Sequence, residues 1–144
     1  MYHHSQLLIF YEGLCVRQDI VIRSNFMNAL LMIAHGSRRT ASNDEVRALA
    51  DRISAQAKGE FDQLACCFLE LAEPLIPDAI DQLVQEGATQ ITVFPYFLAV
   101  GAHVAEDIPE AISAAAEKYP HIMFKSLPHL GQLESMPALI LSQL

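Results

Sequence analysis

The sequence predicts an α/β domain: a three-layer sandwich with a four-stranded parallel sheet and helices on both faces. Two observations carry this expectation. Four short apolar runs, rich in β-branched, aromatic or long aliphatic residues, are separated by apolar stripes at helical spacing. The resulting order, strand then helix repeated four times, belongs to parallel sheets whose crossover connections lay helices over the two faces. The expected strand order is 2-1-3-4. It sets the carboxyl ends of strands 1 and 3 side by side with strand 2 next to strand 1, and such a crevice is where open α/β sheets bind ligands.

Each element has its own signal. Asn28 to Ala34 is the first strand, and its Leu30-Leu31-Met32-Ile33 core is the continuous apolar run of a strand buried on both faces. Ser42 and Glu45 have capping-box spacing and are expected to open the first helix. Val46, Leu49, Ala50, Ile53 and Ala57 share one of its faces, and Gly59 ends it. Leu64 to Leu69 is the second strand. Pro74 and Pro77 mark the entry to a helix striped by Ile76, Ile80, Leu83 and Val84 and stopped at Gly87. Gln90 to Tyr96 is the third strand, rich in β-branched and aromatic residues. Asp107 and Glu110 repeat the cap spacing around Pro109, which suits a first helical turn. Ile108, Ala111, Ile112, Ala115 and Tyr119 form the stripe that follows. Ile122 to Leu127 is the fourth strand, and a last helix runs from about Leu133 or Met136 to the C-terminus with Pro137 in its first turn.

A chain of 144 residues suits one domain. The compact domain is expected over 27–144, because residues 1–26 show two apolar patches and no clear period; they read as an N-terminal extension of unassigned role. Within it His3 and His4 read as solvated. The net charge of −8 argues against a binder of nucleic-acid phosphates, although the local pair Arg38 and Arg39 can hold a small anion against that field. Three cysteines, Cys15, Cys66 and Cys67, are an odd number without C-x-x-C spacing. A disulfide framework is therefore not expected, a reducing cytoplasm fits, and Cys66 and Cys67 read as small buried hydrophobes. No apolar run approaches the roughly 18 residues that span a bilayer. The patch Leu7 to Phe10 is interrupted by Glu12 and lacks a basic flank, so neither a membrane span nor a signal peptide is expected.

Three polar residues fall just past strand ends. His35 follows the first strand in Ala34-His35-Gly36-Ser37-Arg38, Glu70 follows the second in Phe68-Leu69-Glu70, and His103 lies in the loop after the third in Gly101-Ala102-His103-Val104. The expected topology gathers them at one crevice. Two imidazoles and a carboxylate suit a divalent first-row metal, and imidazole titrates near neutrality, so it can accept protons from a substrate. Each has a plainer reading: a structural or solvated histidine, or a carboxylate capping the next helix, a role Glu73 fills equally well. The chain lacks a G-x-x-x-x-G-K-[ST] loop, a G-x-G-x-x-G turn and a G-x-S-x-G elbow, which removes the sequence signals for ATP, dinucleotide and serine-hydrolase chemistry.

The stretches Ala34 to Arg38, Phe68 to Pro74 and Gly101 to Pro109, in this order and spacing, resemble the small sirohydrochlorin chelatases, the short class II chelatases. The resemblance covers about residues 28–144. It implies a chelatase-like fold with the flavodoxin-like strand order 2-1-3-4, and insertion of Co²⁺, or Fe²⁺ or Ni²⁺, into sirohydrochlorin on the way to cobalamin or sirohaem. The metal is then a substrate, no ATP is used, and the absence of cysteine-rich tails implies no iron–sulfur cluster. The resemblance places His35 and His103 as metal-holding, proton-accepting residues and Glu70 as their acidic partner. It leaves Ser37 and Arg38 to contact the carboxylates of the macrocycle, where arginine offers a bidentate fork. Phe94, Tyr96 and Phe97 flank the third-strand loop, with Phe94 read as strand core and one of the three available to stack on the macrocycle. Short members pair, so a homodimer is expected. The rival readings are a non-catalytic carrier using the same two histidines, a phosphate-handling enzyme with His35 as nucleophile, and an interaction domain in which the histidines are incidental.

Overall fold

A computed structural model describes residues 26–144, apart from the side chains of Ala102 and His103. His3, His4, Cys15 and the proposed extension up to residue 25 lie outside the described residues. The elements alternate as expected: β1 (Asn28–Ala34), α1 (Thr40–Gln56), β2 (Gln63–Phe68), α2 (Ile76–Gln85), β3 (Gln90–Pro95), α3 (Ala102–Lys118), β4 (Met123–Ser126), a 3₁₀ turn (Leu130–Gln132) and α4 (Met136–Leu141). The four strands form one parallel sheet in the order β2-β1-β3-β4. β1 is central, with Met32 opposite Cys66 on one side and Phe94 on the other. That position explains its unbroken apolar run: Leu31, Met32 and Ile33 are fully buried.

Alternation along β1 divides the core. Ala29, Leu31 and Ile33 join Ile76, Ala79, Ile80 and Leu83 of α2 and Ile108 and Ala115 of α3 in one cluster. The opposite face receives α1, whose Arg47 lies over the ring of fully buried Phe68. Cys67 is buried in the core and Cys66 half-buried; burial pushes both thiols up, away from the reactive thiolate, as packing residues require. Phe97 is buried in the same cluster as α2 and α3, while Phe94 is half-buried within β3.

Two helix starts differ from the expected ones. α1 begins at Thr40 with Arg39 at its N-cap and no side-chain cap, so Ser42 and Glu45 form no capping box. The chain is turned into the helix by Asn43, whose side chain grips the backbone of Ser37. α3 begins at Ala102, so Asp107 and Glu110 are not cap residues and Pro109 lies inside the helix. A proline there removes a hydrogen bond to the carbonyl one turn back; burial of Ile108 and Ala115 holds the helix across it. His103 is consequently in the first turn of α3 rather than in a loop. α2 has Leu75 at its N-cap without a side-chain cap, which removes the capping role considered for Glu70 and Glu73. Pro77 and Pro137 do sit in the first turns of α2 and α4.

α2 and α3 are tied at the end remote from the strand tips. Lys118 Nζ donates to both Asp81 oxygens at 2.9 and 2.7 Å, and Tyr119 Oη donates to Oδ1 at 2.8 Å. These donors hold the Asp81 carboxyl below its usual range. A lowered carboxyl pKa gives stability that is present above the ordinary value and lost as pH falls through the lowered one. Asp81→Asn is therefore expected to lower the thermal midpoint at neutral pH. Its deficit against the wild type should shrink as pH falls below about 4, measured by circular dichroism melts across that range.

Candidate metal and macrocycle site

The site is built where β1 and β2 end. The ladder between them continues past the strands: Leu69 N donates to Ala34 O at 2.8 Å and Glu70 N to His35 O at 3.0 Å. His35 and Glu70 are thus neighbours in register before their side chains are considered. Gly36 permits the approach. It adopts φ +92°, and a Cβ there would stand 1.8 Å from the Glu70 carbonyl oxygen, so the two loops come closer than any other residue allows. Beyond Glu70 the chain turns through Leu71 at φ 64° and returns, Phe68 N donating to Pro74 O at 2.9 Å, to enter α2.

The side chains meet in solvent. His35 Nε2 lies 3.6 Å from Glu70 Oε1, with the two side chains 53% and 57% exposed. The other ring nitrogen, Nδ1, is 3.2 Å from the Gly36 carbonyl. If Nδ1 carries the proton and donates it there, Nε2 keeps its lone pair toward Glu70. The 3.6 Å separation is too long for a good hydrogen bond. It is close to the roughly 3.3 Å between two ligands of one tetrahedral cation with bonds of about 2.0–2.1 Å.

His35 and Glu70 open onto a cleft of about 580 Å³ lined also by Leu69, Leu75, Ile76, Pro77, Val104, Asp107 and Ala111. Most of the described residues lining it are apolar, and the ionisable side chains among them are one imidazole and two carboxylates. Asp107 was read in the sequence as a cap; its place in the cleft follows from the early start of α3, which the Asp107–Pro109 spacing concealed. The backbone sets His103 one residue before the cleft-lining Val104. Ser37 and Arg38 do not line this cleft. The Ser37 hydroxyl accepts from Arg39 N at 3.1 Å, and Arg38 is exposed. Phe94, Tyr96 and Phe97 also lie outside the cleft lining; Tyr96 faces α1 beside Ser42 and Arg52. Among the described residues, no three His, Cys, Asp or Glu side chains gather as a closed metal cage. Nor, among them, is any helix long and apolar enough to cross a membrane.

Comparison with known proteins agrees with the fold. A model of the CbiX family matches residues 29–144. The chain belongs to the CbiX family. The motif resemblance to small class II chelatases is thereby borne out at family level. Over 98 residues, 68% of this chain and 36% of the relative, it is 35% identical to the sirohydrochlorin ferrochelatase of Priestia megaterium. Over 86 residues, 60% of this chain and 59% of the relative, it is 37% identical to the sirohydrochlorin cobaltochelatase of Methanococcus aeolicus. The chain spans only part of these relatives, from about a third to three fifths of their length. Its fold is similar, with a TM-score of 0.73 and 32% identity, to the sirohydrochlorin chelatase SirB of Bacillus subtilis subspecies spizizenii in complex with cobalt, over 82% of this chain and 50% of that one. A CbiX protein of Marinobacter aquaeolei shares the fold at a TM-score of 0.70 and 23% identity, over 92% of its length.

The close approach at Gly36 makes a direct prediction. Gly36→Ala should force the two loops apart, costing about 1–3 kcal/mol of stability by chemical denaturation. The Glu70 amide should lose hydrogen-exchange protection. Wild-type stability and protection in Gly36→Ala would show that the approach does not constrain the site.

Proposed function

We propose that this chain is a sirohydrochlorin chelatase that inserts a divalent cation into the macrocycle without ATP, a lyase of cobalamin or sirohaem biosynthesis. Co²⁺ is the first candidate metal, with Fe²⁺ and Ni²⁺ as the others. The observation that carries the reading is the His35–Glu70 pair, an imidazole nitrogen and a carboxylate oxygen spaced for one cation at the mouth of a largely apolar cleft. The relatives named as sirohydrochlorin ferrochelatases and cobaltochelatases agree with it and leave the metal open.

The chemistry is an exchange: the free macrocycle gives up two pyrrole N–H protons and takes M²⁺. A hydrated cation is drawn to Glu70 and Asp107, exchanges water for Glu70 and His35, and is held part-desolvated below the ring. His35 Nε2, with His103 as its counterpart at the start of α3, takes the leaving protons as the metal moves to the pyrrole nitrogens. The apolar walls at Leu69, Leu75, Ile76 and Val104 suit the flat faces of a macrocycle. Its peripheral carboxylates are left to Ser37 and Arg38, which lie outside the cleft lining on the loop after β1. One cleft wall is supplied by this chain; a second copy in a cytoplasmic homodimer supplies the other, as a second lobe would in the longer relatives. Residues 27–144 form the chelatase domain, and 1–26 an N-terminal extension of unassigned role. The carrier reading shares the metal pair but needs no macrocycle-sized cleft.

The experiment is an anaerobic absorbance assay with sirohydrochlorin and Co²⁺, Fe²⁺ or Ni²⁺. Wild type should accelerate metallation over protein-free controls. His35→Ala and His103→Ala should each cut the rate by about 10²-fold or more, the scale of a lost acid–base group. Full metal insertion in both folded variants would refute the assigned roles, and a folded wild type that binds Co²⁺ without accelerating insertion would favour the carrier.

A further inference from the structure

Two polar side chains one turn apart on α1 grip the two loops that carry His35 and Glu70. Asn43 is only 6% exposed, and both of its polar atoms are spent on one residue. Its Oδ1 accepts from Ser37 N at 2.9 Å and its Nδ2 donates to Ser37 O at 2.8 Å, two residues beyond His35. Arg47 reaches the other loop. Its Nη2 donates to Glu73 O at 2.9 Å, three residues beyond Glu70. Its guanidinium lies 5.0 Å over the ring of Phe68, the last residue of β2. Nη1 is fixed by Asp44 Oδ1 at 2.8 Å. Residues four apart share a helix face, so a single rigid turn holds both loops. Between the grips the loops meet through backbone, at Glu70 N to His35 O and at Gly36 against Glu70 O, and through the His35 and Glu70 side chains at 3.6 Å.

We propose that Asn43 and Arg47 are positioning residues of the site, and that this turn of α1 sets the separation of His35 and Glu70. A surface arginine in an exposed ion pair contributes little to stability. What Arg47 does instead is fix one loop relative to a helix that already fixes the other. The consequence is a pair of metal ligands held ready before the cation arrives, so that little ordering remains to be done on binding. The activity readout of this proposal rests on the chelatase reading; the metal-binding readout does not.

The test is a double-mutant cycle in the full chain, read as affinity for Co²⁺ alone by calorimetry and as kcat and KM for Co²⁺ insertion into sirohydrochlorin. Arg47→Met keeps an apolar stem over Phe68 and loses the bond to Glu73. It should weaken Co²⁺ binding and lower kcat by about tenfold, with KM for the macrocycle unchanged within about twofold. Arg47→Lys should restore part of the loss. In a Glu70→Gln background Arg47→Met should add less than about twofold, because the ligand it positions is already gone. Asn43→Ala is expected to behave alike; if it does not fold, the exposed Arg47 arm decides. Wild-type Co²⁺ affinity in folded Arg47→Met, or the same loss in both backgrounds, overturns the proposal. A wild type that binds Co²⁺ but metallates nothing refutes the chelatase reading while the affinity cycle still decides this one, and a wild type that binds no Co²⁺ refutes both.

Discussion

The site depends on one backbone contact. Gly36 and Glu70 approach so closely that a single added carbon on residue 36 would overlap the Glu70 carbonyl. Everything polar at the strand tips follows. With the ladder carried on by the Glu70 amide, the side chains of residues 35 and 70 leave adjacent strands at the same level and meet at 3.6 Å. β1 lies between β2 and β3, so its tip stands beside the tip of β2 and beside the loop leading to α3. β1 is central because its residues tolerate no other place: a run of four apolar side chains must be covered on two faces.

Much of this was legible in the sequence. The apolar run at Leu30 to Ile33, the β-branched third strand and the stripe of α2 carry period and composition, which local chemistry alone can write. The expected strand order 2-1-3-4 is the one observed, and it sets His35 and Glu70 at one crevice. The helix starts were harder. Ser42 and Glu45, and Asp107 and Glu110, have the spacing of caps, yet neither pair caps. In the first case a side chain inside the helix, Asn43, does the turning by a contact six residues back. In the second, core packing carries α3 through Pro109. Both are tertiary effects that overrule local propensity. Asn43 and Arg47 were invisible for a related reason: their partners are backbone atoms of loops, and a bond to a backbone leaves no mark on the partner's identity.

Charge and shape divide the work in the cleft. The chain as a whole is acidic, and the cleft lining adds Glu70 and Asp107 to His35. Such a field favours a cation over a carboxylated ligand, so under the proposed function the macrocycle is held by apolar contact with Leu69, Leu75, Ile76 and Val104. A half-open pair of ligands is also what a chelatase needs. A closed cage would keep the metal, whereas two exposed ligands can hold a cation and release it to four pyrrole nitrogens.

The most direct measurement is anomalous diffraction from crystals of this chain soaked in Co²⁺ at the cobalt edge. A peak within bonding distance, about 2.0–2.2 Å, of both His35 Nε2 and a Glu70 carboxylate oxygen is the predicted result. A peak bound by neither residue, or by His35 with Glu70 turned away, would contradict the claim that the Gly36–Glu70 contact builds a metal-holding pair.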